Sequence, residues 1–406
     1  MDPSSVRKKM NFEEFIEKVK PIVEEVRING DKAVLKYEKL FDGVELKRLK
    51  IRKNEIDSAY EEVEDELIDA LEIAKENIER FHMLTSVERE MKIQFEDCIM
   101  GKIYTPLEVV GAYIPGGRAS YPSTALMTGV PAKIAGVEKL VACTPPNSKG
   151  KVNPLTLVAC DLAGFDEIYC IGGAQAIAAM AYGTESVPKV QKIVGPGNAY
   201  VTAAKLLVAK DVAIDMPAGP SEILVIADDS ANAEFIAYDC LAQLEHDPLA
   251  IAVVLTTSER IANGVKKIVF EKMGETNLVV ELVKDINEAI KLSNDFAPEH
   301  LSLMCRNAEK YLEKVKNAGS VFVGDFAGVA MGDYAAGTNH VLPTSGYAKI
   351  YSGLTVESFM KSITFQQLTP ETLKRIGNAV IKLAEAEGLK YHAESIKIRL
   401  IHSKNS

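Results

Sequence analysis

The chain carries only six histidines in 406 residues, and His246, His300, His340 and His392 each stand near a side chain that brings an oxygen. In LAQLEHDP, Gln243 precedes His246 by three residues, at the end of a helix that Pro248 must stop. That spacing puts both side chains on one face of a last turn. A carbonyl oxygen and an imidazole placed so can grip one divalent metal, zinc among them. A protonated histidine favoured by the helix dipole is the plainer alternative. Glu299 and His300 are neighbours in NDFAPEHLSLM. Pro298 holds the residue before it extended and HLSLM reads as a strand, so a carboxylate and an imidazole stand at the mouth of that strand. Imidazole titrates near neutrality and suits proton transfer with a reacting hydroxyl, and a surface histidine beside a solvated glutamate is the competing reading. Asp333 and His340 bracket the small-residue loop GDYAAGTNHVLP, built for close backbone approach. Asp333 can lend an oxygen to a metal or make an ordinary Asx-turn. His392 follows Glu387 by five residues in the tail and locally reads as an exposed helix residue. His82 and His402 read as structural or solvated.

Two glycine turns could meet a nucleotide. KIVGPGNAY is a strand, a turn and a helix start, with Asp215 about 20 residues on, but Tyr200 stands where the dinucleotide fingerprint needs its third glycine. YIPGGRASYPSTALM is a second such turn, where Ser123 and Thr124 can cap the helix or meet an anion. The nucleophile elbow, the phosphate-binding P-loop and the H-E-x-x-H zinc signature are all missing, which removes the usual support for serine hydrolysis, P-loop phosphoryl transfer and that class of proteolysis.

The elements that must position these groups fall into blocks. Residues from about 11 to 93 read as charged amphipathic helix, as in NFEEFIEKVKPIVEEV and ELIDALEIAKENIERF. After Tyr104, apolar β-branched runs alternate with helical stretches, and a second such series starts at Ser221 with EILVIADD. This predicts an α/β fold of two doubly wound, Rossmann-like parallel-sheet domains. The expected division is a helical region at 1–100, α/β domains at 101–218 and 219–348, and a helical tail at 349–406.

The bulk numbers set the class. Hydrophobic residues make up 47% and charged residues 26%, enough to bury a large core. A net charge of −10 argues against nucleic acid and anionic membrane as partners. The cluster Arg7-Lys8-Lys9 reads as a solvated helix face. No signal peptide or bilayer span is evident. The six cysteines form no C-x-x-C pair and read as free buried thiols in a reducing cytoplasm.

The strings YIPGG, GGAQAIAA, GPGNAYVTAAK, IDMPAGPSE, AQLEHDP, APEHL, GSVFVGD and GDYAAGTNHVLPT occur together in an order that resembles the histidinol dehydrogenase family, and the resemblance covers nearly the whole chain. It implies four-electron oxidation of L-histidinol to L-histidine through the aldehyde, with two molecules of NAD and one zinc ion per site. The metal ligands it implies are Gln243, His246, Asp333 and His392, and the catalytic pair is Glu299 and His300. It implies substrate contacts at Ser221, Gln243, His246, His300, Asp333, His340, Glu387 and His392, and cofactor contacts at Tyr113, Gln175 and Asn198. Glu387, His392 and His340 are expected from the partner subunit of an obligatory homodimer with shared active sites, the C-terminal tail packing on the partner. The alternative is a related zinc- and NAD-dependent dehydrogenase acting on another small alcohol. The ligand set offers only nitrogen and oxygen donors, so it would accept manganese or cobalt as well as zinc.

Overall fold

Buried helix stripes and strands with apolar runs build this chain, and the computed structural model describes Arg7 and residues 12–116 and 120–403. Lys8 and Lys9 of the basic cluster, and residues 117–119 of the YIPGGRAS turn, lie outside the described residues. Three helices come first: α1 (Phe12–Phe41), α2 (Lys53–Glu62) and α3 (Asp65–Thr85). Next come β1 (Glu90–Phe95) and β2 (Cys98–Pro106), paired antiparallel. A strict alternation follows, with β3 (Val109–Tyr113), α4 (Pro122–Ala135), β4 (Lys139–Thr144), α5 (Pro154–Leu162) and β5 (Glu167–Cys170). It continues through α6 (Gly173–Tyr182), β6 (Lys192–Val194), α7 (Ala199–Val208) and β7 (Ala213–Ile214). The second series is β8 (Glu222–Ala227), α8 (Ala233–Leu244), β9 (Ile251–Thr256), α9 (Glu259–Met273), β10 (Leu278–Leu282) and α10 (Ile286–Phe296). It ends with β11 (His300–Met304), β12 (Ser320–Val323) and α11 (Val329–Tyr334). The last elements are β13 (Met360–Gln367), α12 (Pro370–Ala386) and α13 (Lys390–His402).

Both expected parallel sheets are present. Their orders are β5-β4-β3-β6-β7 and β10-β9-β8-β11-β12, so each runs third, second, first, fourth, fifth in its own series. Every pairing in both sheets is parallel. The shared order places a topological switch between the first and fourth strands of each sheet, where connections leave in opposite directions and open a crevice. Strand β8 shows why the sheets are covered on both faces. Ile223, Val225 and Ala227 enter one buried cluster, while Leu224 and Ile226 enter another. In the first sheet, Val19, Val23 and Val26 of α1 pack with α6 and α7 through the turn-by-turn stripe that their spacing dictates.

Two units can be distinguished. One holds the described residues up to Ser86 together with Leu107–Phe359, and the other holds Val87–Pro106 with Met360–Ser406. The second unit amends the helical reading of 1–100 and 349–406, because β1, β2 and β13 form a three-stranded antiparallel sheet. All six residues of β1 are exposed, so no buried face imposes the period-two alternation by which a strand is recognised.

Candidate active site

The catalytic candidates of the second sheet lie where its strands begin. His300 is the first residue of β11 and pairs in register with Ile223 at the start of β8. Helix α8 leaves the far end of β8, so its C-terminus returns Gln243 and His246 toward the edge where the strands start. Short helix α11 brings Asp333 after β12 by the same kind of return. His300 is buried, with both ring nitrogens engaged. Nδ1 lies 3.2 Å from the carbonyl oxygen of Glu222, and Nε2 lies 3.2 Å from Asp333 Oδ1. Each neighbour can only accept, so each nitrogen must donate, which is the pattern of an imidazolium. Burial pulls the ring the other way, but the Glu299 and Asp333 carboxylates outweigh it and raise His300 to about 9. Glu299 is equally buried. Its Oε2 accepts the Glu222 N–H at 2.8 Å and sits 3.6 Å from His300 Nδ1. Burial raises its carboxyl to about 7, with His300 opposing.

His340, which the resemblance implied would come from the partner subunit, lies beside Asp333 of its own chain and is arranged oppositely. Its Nδ1–H donates to the Asp333 carbonyl at 2.7 Å, which leaves Nε2 to accept from the Thr124 hydroxyl at 3.2 Å. Both bonds suit the neutral ring, and burial lowers its pKa. Thr124 belongs to α4, so this bond ties the catalytic loop to the first sheet's helices. The same loop is fixed by Asn339, whose Nδ2–H donates to the Met127 carbonyl at 2.6 Å. Asp333 thus collects imidazoles. Burial works against its ionised form, yet His300, His340 and His246 hold its carboxyl below the usual range.

Gln243 is buried in the last turn of α8, whereas His246 is exposed just beyond the Glu245 cap. Ser221 is half-buried immediately before β8. Glu387 caps α12 and His392 lies in the first turn of α13, both exposed and both in the second unit. Among the described residues no three His, Cys, Asp or Glu side chains gather closely enough to hold a metal. The donor types suit a divalent cation, since Gln243 offers an oxygen, His246 an imidazole, and Asp333 a carboxylate whose charge the histidines sustain.

The proposed cofactor contacts gather at the opposite end of the other sheet, where its strands finish. Tyr113 ends β3, and its hydroxyl accepts the Gly173 N–H at 3.1 Å. Gln175 is buried in the first turn of α6, while exposed Asn198 caps α7 by accepting from Tyr200 and Val201. The GPGN turn is drawn tight against β3. A side chain at Gly195, where φ is +105°, would strike the Tyr113 carbonyl. Asp215 is not placed for a ribose. It is buried in an ion pair with Lys205 and accepts the Gly195 N–H at 2.7 Å, so it clamps the turn instead.

Three residues here escaped the sequence reading. Arg7, expected on a solvated face, turns inward onto buried Glu222. Glu38 is fully buried on α1 and accepts from Gly172 N–H at 3.0 Å and Gln175 Nε2–H at 2.8 Å. Asp239, one turn before Gln243 on α8, accepts the Val329 N–H at the start of α11 and is raised by burial to about 6. Each is one acidic or basic residue among many in its segment, and its burial depends on partners far away in sequence. His82, read as structural or solvated, is buried, and burial lowers it to about 4. It extends the stripe Leu71, Ala74 and Ile78 of α3, so its spacing carried that signal.

A family profile described as histidinol dehydrogenase matches residues 5–400. The chain is 68% identical to the histidinol dehydrogenase of Archaeoglobus fulgidus over 97% of this chain and 98% of the relative. It is 49% identical to that of Methanocaldococcus jannaschii over 97% and 94% respectively. The crystal structure of histidinol dehydrogenase from Elizabethkingia anophelis superposes with a TM-score of 0.93 at 42% identity, covering 98% of this chain and 94% of that one.

Proposed function

Because the chain belongs to the histidinol dehydrogenase family, we propose that it oxidises L-histidinol to L-histidine through the aldehyde, with NAD as hydride acceptor, in histidine biosynthesis. The observation that carries the chemistry is His300, buried and held between Glu299 and Asp333 with Nδ1–H fixed on a main-chain carbonyl. That bond leaves Nε2 as the nitrogen that exchanges protons with substrate. In the resting arrangement Nε2 keeps its proton near neutrality. It becomes a base as pH rises toward 9, or when the Asp333 carboxylate is engaged by a cation instead.

His300 then takes the alcohol proton at Nε2 as hydride leaves the carbinol carbon. Glu299, poised near neutrality, takes a proton from the water that adds to the aldehyde. His300, once it has passed the first proton to solvent, receives the hydroxyl proton of the hydrate as the second hydride leaves in the second oxidation. Neutral His340 and Gln243 orient the substrate, and Ser221 adds a hydroxyl. Gln243, His246 and Asp333, with His392 of the partner subunit, would hold a zinc ion. When bound, that ion would orient the amine and imidazole of the substrate. Tyr113, Gln175 and Asn198 would bind NAD.

A homodimer with shared sites would supply His392 and Glu387 from the partner subunit. In the second unit Met91, Ile93 and Phe95 are exposed on one face of β1, an apolar strip suited to a second copy. We assign 101–218 to the cofactor side, 219–348 to the metal and catalytic side, and 349–406 to the tail that meets the partner. Among the described residues no helix is long and apolar enough to cross a membrane. The six cysteines are free and buried, which suits a reducing cytoplasm. The test is NAD reduction by the purified protein with L-histidinol, set against amino alcohols that lack the imidazole. Turnover confined to histidinol is expected, and equal or better turnover of the other alcohols would overturn the assignment.

A further inference from the structure

The catalytic pair is held by one residue's main chain. Glu222 gives its N–H to Glu299 at 2.8 Å, and its carbonyl oxygen receives the Nδ1–H of His300 at 3.2 Å. The side chain of Glu222 points elsewhere, is 2% exposed, and meets Arg7 through two bonds, Nε to Oε1 at 2.6 Å and Nη2 to Oε2 at 2.7 Å. Arg7 also reaches the segment that leads into the pair. Its Nη1 donates to the Phe296 carbonyl at 2.7 Å, its Nη2 to the Ala297 carbonyl at 3.3 Å, and its guanidinium lies 3.8 Å over the Phe296 ring. Phe296 ends α10, and Ala297 turns the chain with a φ of +53° into Pro298 and Glu299. The last carbonyls of a helix lack intrahelical donors, and a guanidinium fork satisfies them while balancing the dipole.

We infer that Arg7 is a positioning residue for the catalytic pair, clamping the start of β8 to the end of α10 so that the Glu222 main chain presents Glu299 and His300 in register. Two segments 75 or so residues apart converge on the pair, and one side chain from far upstream binds both. The ion pair has a second effect. A buried Glu222 carboxylate without its cation would be a third negative charge facing His300, beside Glu299 and Asp333, and would press on Glu299. The inference rests on Glu299 and His300 being the proton-handling pair. Its test therefore carries His300→Asn as a control, since wild-type turnover in that variant would defeat the reading whatever Arg7 does.

The experiment compares kcat, both KM values and thermal stability in the intact enzyme for Arg7→Ala, Arg7→Lys, Glu222→Gln and the double variant Arg7→Ala/Glu222→Gln. A displacement of about 1 Å at reacting groups can cost roughly 10²-fold, so Arg7→Ala should lose kcat by about 10- to 100-fold while the NAD KM stays within about twofold. Arg7→Lys keeps the charge but not the fork and should fall between wild type and Arg7→Ala. The double variant no longer strands a buried charge but still lacks the clamp, so it should regain thermal stability while its kcat stays within about threefold of Arg7→Ala. A purely structural tether would lower the melting temperature and leave kcat of the folded enzyme near wild type. Wild-type kcat in Arg7→Ala would overturn the inference, as would a double variant restored to wild-type kcat. If Arg7→Ala does not fold, the decision falls to Arg7→Lys and Glu222→Gln, and wild-type kcat in both would overturn it.

Discussion

Replacing Glu38 with glutamine should change how stability depends on pH. Glu38 is fully buried on α1 and accepts the N–H of Gly172, the cap residue of α6, together with the side-chain N–H of Gln175. Its second oxygen has no hydrogen-bond partner among the described residues, nor has the side-chain oxygen of Gln175. Burial pushes the Glu38 carboxyl from 4.5 up to about 8, with the bonds from Gln175 and Gly172 opposing and Asp42 adding to the rise. At about 1.4 kcal/mol per unit, ionising it in the folded state costs at most roughly 5 kcal/mol. An acid raised on folding stabilises fully below its unfolded pKa of 4.5, and that contribution drains away as pH climbs to about 8, levelling off above. Glutamine keeps an acceptor for Gly172 and Gln175 but cannot ionise. Urea unfolding of wild type and Glu38→Gln between about pH 5 and pH 9 should therefore show their stability difference moving in favour of the variant. The movement should be at least about 1 kcal/mol and no more than roughly 5 kcal/mol. A difference that stays constant across that range would refute the reasoning, because the carboxyl would then titrate alike in the folded and unfolded chain.

Two further outcomes bear on the site. His300→Asn should lower turnover by at least about 10²-fold with bound metal unchanged, and should remove the rise in wild-type rate expected as pH climbs toward the His300 value of about 9. Steady-state rates across pH with metal analysis decide it, and a variant that keeps the wild-type profile would remove His300 as the base. Inactive His300→Ala and inactive His392→Ala subunits should regain activity on mixing and exchange, since hybrid dimers would assemble one site free of both changes. Continued inactivity after demonstrated exchange would contradict a shared site.

The two parallel sheets were legible because strands such as EILVIA carry an apolar run after a polar first residue and are followed by helical stretches. Histidine scarcity singled out His246, His300, His340 and His392; the structure sets His300 and His340 against Asp333, while His246 is exposed beyond α8 and His392 lies in the second unit. The β1–β2–β13 sheet escaped notice because β1 is exposed along its length, and β13 meets β2 only across more than 250 residues of chain. Arg7 and Glu222 escaped for a related reason. A salt bridge spanning 215 positions leaves no local spacing to read, and an arginine in a basic run looks solvated until its acceptors are seen. Glu38, by contrast, sits one turn beyond Val34 on the buried stripe of α1, so its position hinted at burial although its type argued against it.

The most direct test of the account counts NADH formed per L-histidinol consumed when substrate is limiting and NAD is in excess. Two oxidations at one site, with Glu299 hydrating the aldehyde between them, predict about two NADH and histidine as the sole product. A ratio of about one, with aldehyde released to solution, would contradict it.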